Sequence, residues 1–321
     1  MPSLGIVFSL FSAASFGINE AMTRRGMVGA SASQGLYITV TFGVPAFLLA
    51  SIVTGQFAQA GGISWLGLVW LGAAGIVHFL GGRYCNYRSI GAIGANRSQP
   101  LRSTALLYSV GFAVLILHEN LTLGRALGVA LLTAGALLMV DRKQNATAPG
   151  ANQGTMLAAS GGAAMAVAPV EAPTSTLTRL IAGYGFGLMA GLMYGISPIF
   201  IKLGLEGTNI GLFGGFVSYL AASVVLLSTL LRPGRWAYVR TMKQEHARWF
   251  LGSGTFVFLA QMFRYLALGT ESVTLVSSLG QLNGIFTLGF SATVNRHLEN
   301  FRRETIIGVV LSVIGGIAVA F

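Results

Sequence analysis

The segment His118-Glu119-Asn120-Leu121-Thr122-Leu123-Gly124-Arg125-Ala126-Leu127-Gly128, carried on to Gly135, decides how this chain is read. Its skeleton occurs twice. Glu119, Asn120, Gly128 and Gly135 reappear as Glu299, Asn300, Gly308 and Gly315, all displaced by 180 residues. Working back from this segment, Phe16-Gly17-Ile18-Asn19 lines up with Tyr194-Gly195-Ile196-Ser197, and Arg24, Gly26 and Gly29 fall on Lys202, Gly204 and Gly207, at an offset of 178. Identities at fixed spacing, each at the same place in its half, mark an internal repeat.

What is repeated is apolar. Only 9% of the 321 residues are charged, against roughly 25% in a soluble domain. Too little charge is present to coat a water-facing surface, and an apolar fraction of 54% excludes disorder. The single cysteine excludes a disulfide framework or a cysteine-based metal cluster. The chain reads as an all-α, polytopic membrane protein. A crossing helix needs roughly 20 mostly apolar residues, and ten candidate spans emerge. In the first half they are 3–22, 35–54, 65–82, 95–117 and 124–140. In the second half they are 180–203, 211–231, 249–268, 272–294 and 305–321. The first has no basic leader before it and reads as a retained span rather than a signal peptide. The long break 141–179 holds Pro149, Pro169 and Pro173, and its apolar stretch 156–170 is too short to cross. It reads as a flexible linker between repeats 1–140 and 180–321. Five is an odd number, so the second repeat must sit in the membrane upside down relative to the first. That inverted-repeat plan is found in many secondary transporters, with sites near the midplane.

On these residues the chain resembles the EamA-type transporters of the drug/metabolite transporter superfamily. The resemblance rests on the aromatic-Gly-x-Asn element ending span one, on the Glu119 segment after span four, and on their second copies. Phe16 stands where the family usually has Trp, Glu20 where it is usually apolar, and the linker is longer than usual. The resemblance implies proton- or gradient-coupled movement of a small metabolite or drug-like compound, often export, in a bacterial inner membrane. Its partners would be a small-molecule substrate, membrane lipid and protons, with no cofactor, metal or nucleic acid. Whether one copy or a homodimer works is left open.

Ionisable and polar residues within spans are costly and point to function. Glu20 could take up a coupling proton, or it could pair with Arg24 one turn on. Arg102, with Gln99 nearby, lies in span four, and Arg264, aligned with Asn86, lies in span eight. Arginine's planar donors suit carboxylate and phosphate groups, so an anionic or zwitterionic cargo such as an amino acid fits these positions. Gln281 and Asn283 carry the matching polar stripe in span nine. Asn19 and Ser197 are the polar ends of the two aromatic-Gly elements. These nine residues form the expected substrate or proton pathway. Gly17, Gly195, Glu119 and Glu299 are expected to be structural, the two glutamates capping the helices that follow them. His78, alone on an apolar helix, reads as packed rather than ligating.

Fifteen of the 20 Lys and Arg residues fall in the connections after odd-numbered spans. By the positive-inside rule both termini are then outside the cytoplasm, whereas the family habit is both inside. The rival class is a membrane-embedded lipid-modifying enzyme or a lipid flippase. An enzyme would need clustered acids or a nucleophile with a base, and the nine acidic residues are scattered.

Overall fold

The computed structural model describes residues 3–26, 30, 32–93, 101–138, 176–294 and 303–320. No strand forms among them, as expected where lipid offers the backbone no hydrogen bonds and helices satisfy their own. The first half comprises α1 (Leu4–Gly26), α2 (Ala32–Val53), α3 (Trp65–Gly75), α4 (Arg83–Ile93), α5 (Ala105–Leu117) and α6 (Leu123–Leu138). A π-helical stretch, Ile76–Gly82, joins α3 to α4, so that span three is one long rod. The second half comprises α7 (Thr176–Gly204), α8 (Gly211–Ser228), the short α9 (Arg235–Arg240), α10 (Gln244–Thr270), α11 (Val273–Gly280), α12 (Asn283–Val294) and α13 (Arg303–Ala320). The last helix of the expected linker region, the start of α7, begins at Thr176; most of 141–179 lies outside the described residues.

Six of these helical segments are long and apolar enough to cross a membrane: Leu4–Thr23, Gln34–Val53, Trp65–Asn86, Leu180–Gly204, Gly211–Leu231 and Gln244–Thr270. Leu101–Leu117, Leu123–Gly135 and Val310–Val319 are shorter apolar helices. Span nine differs from a single rod: it is two half-length helices, α11 and α12, meeting at Gln281 and Leu282. Leu49, Val53, Leu66, Leu115, Val224 and Ile317 are exposed. An apolar exterior of this kind makes sense where lipid is the solvent.

The most extensive helix contacts join one half to the other. α1 packs on α10, α11 and α12, and α7 packs on α3, α4 and α5. α2 faces α8, α5 faces α11, and α6 faces α13. Exchanging the halves reproduces this pattern, and individual residues follow it. A methyl placed on Gly17 would fall 2.5 Å from Phe286 Cβ and 2.7 Å from the Thr287 nitrogen. At the 178-residue offset, the counterpart contact has a methyl on Gly195 falling 2.6 Å from Tyr108 Cβ and 3.1 Å from the Ser109 nitrogen. Along α6 and α13, a methyl on Gly128 would fall 2.7 Å from the Gly315 carbonyl and one on Gly135 2.6 Å from that of Gly308. The numbers rise along one helix as they fall along the other, so these equivalent helices run antiparallel. Gly43 against Tyr219 and Phe47 against Gly215 repeat the relation between α2 and α8. The repeats are inverted, and glycines let the backbones close at the crossings.

A candidate polar pathway between the repeats

The polar residues singled out in the sequence gather in two places. Nearer the end of α1 that leads to Arg24 and Arg25, Glu20 lies between three spans. Its Oε1 is 3.6 Å from Arg102 Nη1, in the turn that precedes α5. Its Oε2 accepts a hydrogen bond from Thr287 Oγ1 on α12 at 3.1 Å, and the same hydroxyl also reaches the Asn283 carbonyl at 2.9 Å. The two charged side chains keep about a third of their surface accessible (31% for Glu20, 28% for Arg102). The pair is therefore watered, and its net stabilisation is about 0–1 kcal/mol. The other expected partner of Glu20, Arg24, has its side chain outside the described residues. Arg102 is accordingly half of an ion pair, not a lone donor awaiting an anion.

Next to Glu20 in the chain, Asn19 ties α1 to α10. Its carbonyl oxygen accepts from Ser253 Oγ at 2.7 Å and, at 3.5 Å, from Thr23 Oγ1, and the two hydroxyls lie 2.7 Å apart. Glu20 sits six residues from the end of α1, roughly 9 Å along its axis. The Asn19 level of α10 is separated from Arg264 by eleven residues, about 16 Å.

The second gathering surrounds Arg264. Its side chain lies on α10 within the bundle and is only partly covered. Among the described residues it makes no hydrogen bond or ion pair. His78, on the π-helical stretch, lies within its electrostatic reach. Gln261, one turn before Arg264, places its amide nitrogen 3.4 Å from His78 Nε2. The Tyr194 and Phe79 rings each lie 5.0 Å from the imidazole. His78 is thus a packed, hydrogen-bonded side chain, as its sequence context suggests. The π stretch widens the helix there, and such insertions recur at functional sites.

Both halves carry a broken helix at matching places. In span nine, Gln281, Leu282, Gly284 and Ile285 donate three residues back, to Ser278, Leu279, Gln281 and Leu282, instead of four. In span four, Thr104 likewise donates to Leu101 at 3.2 Å, before α5 starts. Tightened turns in mid-helix mark hinges, and discontinuous helices near the midplane are a feature of transporter sites. Gln281 and Asn283 flank one break and Arg102 the other.

The remaining expected residues are dispersed. Asn86 is half-buried on α4 and makes no hydrogen bond to another described residue; Ser197 is buried on α7 beside Gly195. Gln99 and Glu299 lie outside the described residues. Glu119 does cap a helix, but not the one that follows it. Its Oε1 and Oε2 accept the amides of Val273 at 2.6 Å and Thr274 at 3.0 Å, at the start of α11 in the opposite repeat. Three participants are not among the residues expected from the sequence: Thr287, Ser253 and Gln261. Thr287 was detectable, because Ser109 stands 178 residues before it and also bears a hydroxyl, which lies 2.7 Å from Ser277 Oγ.

The two-fold relation sharpens the picture. At an offset of 178, Glu20 and Arg102 map onto Pro198 and Gly280. A side chain on Gly280 would meet nothing within 4 Å. The ion pair therefore belongs to one side of the dyad only and is not demanded by the repeat. Among the described residues no group of three His, Cys, Asp or Glu could hold a metal ion.

Comparison with known proteins agrees with this architecture. The sequence matches the profile of the EamA-like transporter family over residues 3–141 and 181–321, one match for each half. No curated protein matches the chain. A crystal structure described only as that of a protein superposes with a TM-score of 0.69, over 99% of this chain and 98% of that one. At 14% identity the likeness shows the fold alone. With both halves matched and related by inversion, the chain is a multi-pass membrane protein belonging to the EamA-like transporter family.

Proposed function

We propose that this protein is a secondary active transporter that exports a small metabolite or drug-like compound by alternating access, coupled to protons at Glu20. The observation that carries this reading is the one-sided Glu20–Arg102 pair. Ionisable residues within spans point to function, and this partly watered pair has Pro198 and Gly280 as its repeat equivalents. In the arrangement described, Glu20 links α1 to the turn before α5 and to α12. A proton on Glu20 would cancel its charge, release Arg102, and loosen α1 from spans four and nine. The breaks at Thr104 and Gln281 are where those spans would bend. In this reading the shorter apolar helices and the α11–α12 pair complete ten crossings, in a bacterial inner membrane, with the basic connections facing the cytoplasm. Proton entry at one end and cargo release at the other require only that the two conformations bind each differently.

The family is one of transporters, which are not as a rule enzymes. The test is a growth-inhibition and metabolite-efflux screen in cells overexpressing the wild type or Glu20→Gln at equal membrane abundance. Resistance or efflux conferred by the wild type and lost in Glu20→Gln supports the reading. Equal efflux by both removes Glu20 from coupling.

A further inference from the structure

We propose that Arg264, assisted by Gln261 and His78, is the anchoring point for an oxyanion carried by the cargo, so that the transported compounds bear a carboxylate or a similarly shaped phosphonate group. The inference rests on the transport reading above and adds the chemical class of what is carried. Three observations converge. First, Arg264 lies on α10 within the bundle, is only partly covered, and makes no hydrogen bond or ion pair among the described residues. A charge taken out of bulk water needs a counter-charge. Second, the described carboxylates are engaged or placed elsewhere. Glu20 pairs with Arg102, Glu119 caps α11, Glu271 follows α10, Glu206 follows α7, and Glu245 opens α10. Third, the neighbourhood is donor-rich and positive. Arg83 and Arg264 both lie within electrostatic reach of His78. The Gln261 amide nitrogen lies 3.4 Å from His78 Nε2, and the other ring nitrogen, Nδ1, is buried with no hydrogen-bond partner. An oxyanion reaching Arg264 supplies the missing charge, and the His78 Nδ1 is a further polar partner it meets once that atom is uncovered. Guanidinium forks favour planar, two-oxygen partners, and the Tyr194 and Phe79 rings beside His78 give the body of the cargo an aromatic wall.

Arg102 does not share this role, because its charge is already met by Glu20. The two arginines that look alike in the sequence thus divide the work: one belongs to the proton switch and the other to the cargo.

The test is direct binding to the full-length purified protein, independent of flux. Acetate, benzoate and methylphosphonate are compared with acetamide and benzamide by thermal shift and by equilibrium titration. At least one oxyanion is expected to bind saturably while its neutral partner does not, and Arg264→Gln is expected to weaken that binding by about tenfold or more. Arg264→Lys should recover part of it. No stabilising oxyanion, equal stabilisation by the amides, or unchanged affinity in Arg264→Gln overturns the proposal. If Arg264→Gln does not fold, phenylglyoxal labelling of the wild type decides, read by peptide mass spectrometry. Labelling of Arg264 that the oxyanion protects supports the site, and absent or unprotected labelling overturns it. Oxyanion binding at Arg264 without any flux would sink the transport reading alone. Flux of neutral or cationic solutes without oxyanion binding would sink this inference alone.

Discussion

Replacing Glu119 with Ala removes two hydrogen bonds that hold one repeat to the other. The Val273 and Thr274 amides, at 2.6 and 3.0 Å from the carboxylate, lose their acceptors. Only Leu275, bonded to the Ser272 hydroxyl at 3.2 Å, keeps a side-chain partner at that helix start. A hydrogen bond to a charged group contributes about 1.5–3 kcal/mol, and loss of an ordinary N-cap costs about 0.5–2 kcal/mol. Glu119 is half-buried, so water can replace part of what is lost. We therefore expect about 2–3 kcal/mol for the pair, a drop of roughly 3–5 °C in melting temperature for a chain of this size. Glu119→Gln keeps an acceptor oxygen but no charge and should fall about halfway. The assay is thermal unfolding of the detergent-purified protein, paired with amide hydrogen exchange over α11. Melting temperatures within about 1 °C of wild type for both variants, with α11 amides still protected, would refute the cross-repeat capping role.

Other consequences follow from the same geometry. Repeat symmetry makes Glu299→Ala as costly as Glu119→Ala, measured in the same melts; a neutral Glu299→Ala would break the parallel. A methyl on Gly17 meets Phe286 Cβ at 2.5 Å, so Gly17→Ala should cost about 1–3 kcal/mol through overpacking and lower the yield of monodisperse protein. Gly280→Ala is its control: with nothing within 4 Å of the added methyl, stability should stay the same or rise by up to about 1 kcal/mol. The positive-inside count places Phe321 outside the cytoplasm, so a periplasm-active phosphatase fused there should work while a cytoplasm-only reporter stays silent.

The repeat was the most legible part of the molecule, because glycine spacing is a direct imprint of helix crossing. Gly17, Gly128, Gly135 and Gly195, each visible as an offset identity, turn out to sit where backbones from opposite halves touch. The break in span nine was harder to see. Gln281-Leu282-Asn283 interrupts neither hydropathy nor length, and only the shortened hydrogen-bond spacing reveals it. Long-range partners were out of reach altogether. Sequence spacing offered Glu20 its neighbour Arg24 and offered Glu119 the helix just after it. The fold brings Arg102 to Glu20 and α11 to Glu119, since inverted repeats bring distant segments together across the bundle. Arg102 and Arg264 were indistinguishable by residue type and hydropathy. Their separation into a paired and an unpaired cation depends on where the scarce carboxylates end up.

The central claim is that a proton on Glu20 drives cargo across the membrane, and proteoliposomes test it most directly. The purified protein is reconstituted, loaded with a pool of ¹⁴C-labelled organic acids and amino acids, and given an imposed pH gradient. The account predicts gradient-driven, labelled flux with matching proton movement in the wild type. In Glu20→Gln the gradient-driven component should vanish while exchange of labelled for unlabelled cargo persists. Flux that ignores the gradient, or a Glu20→Gln variant driven as well as wild type, would contradict it.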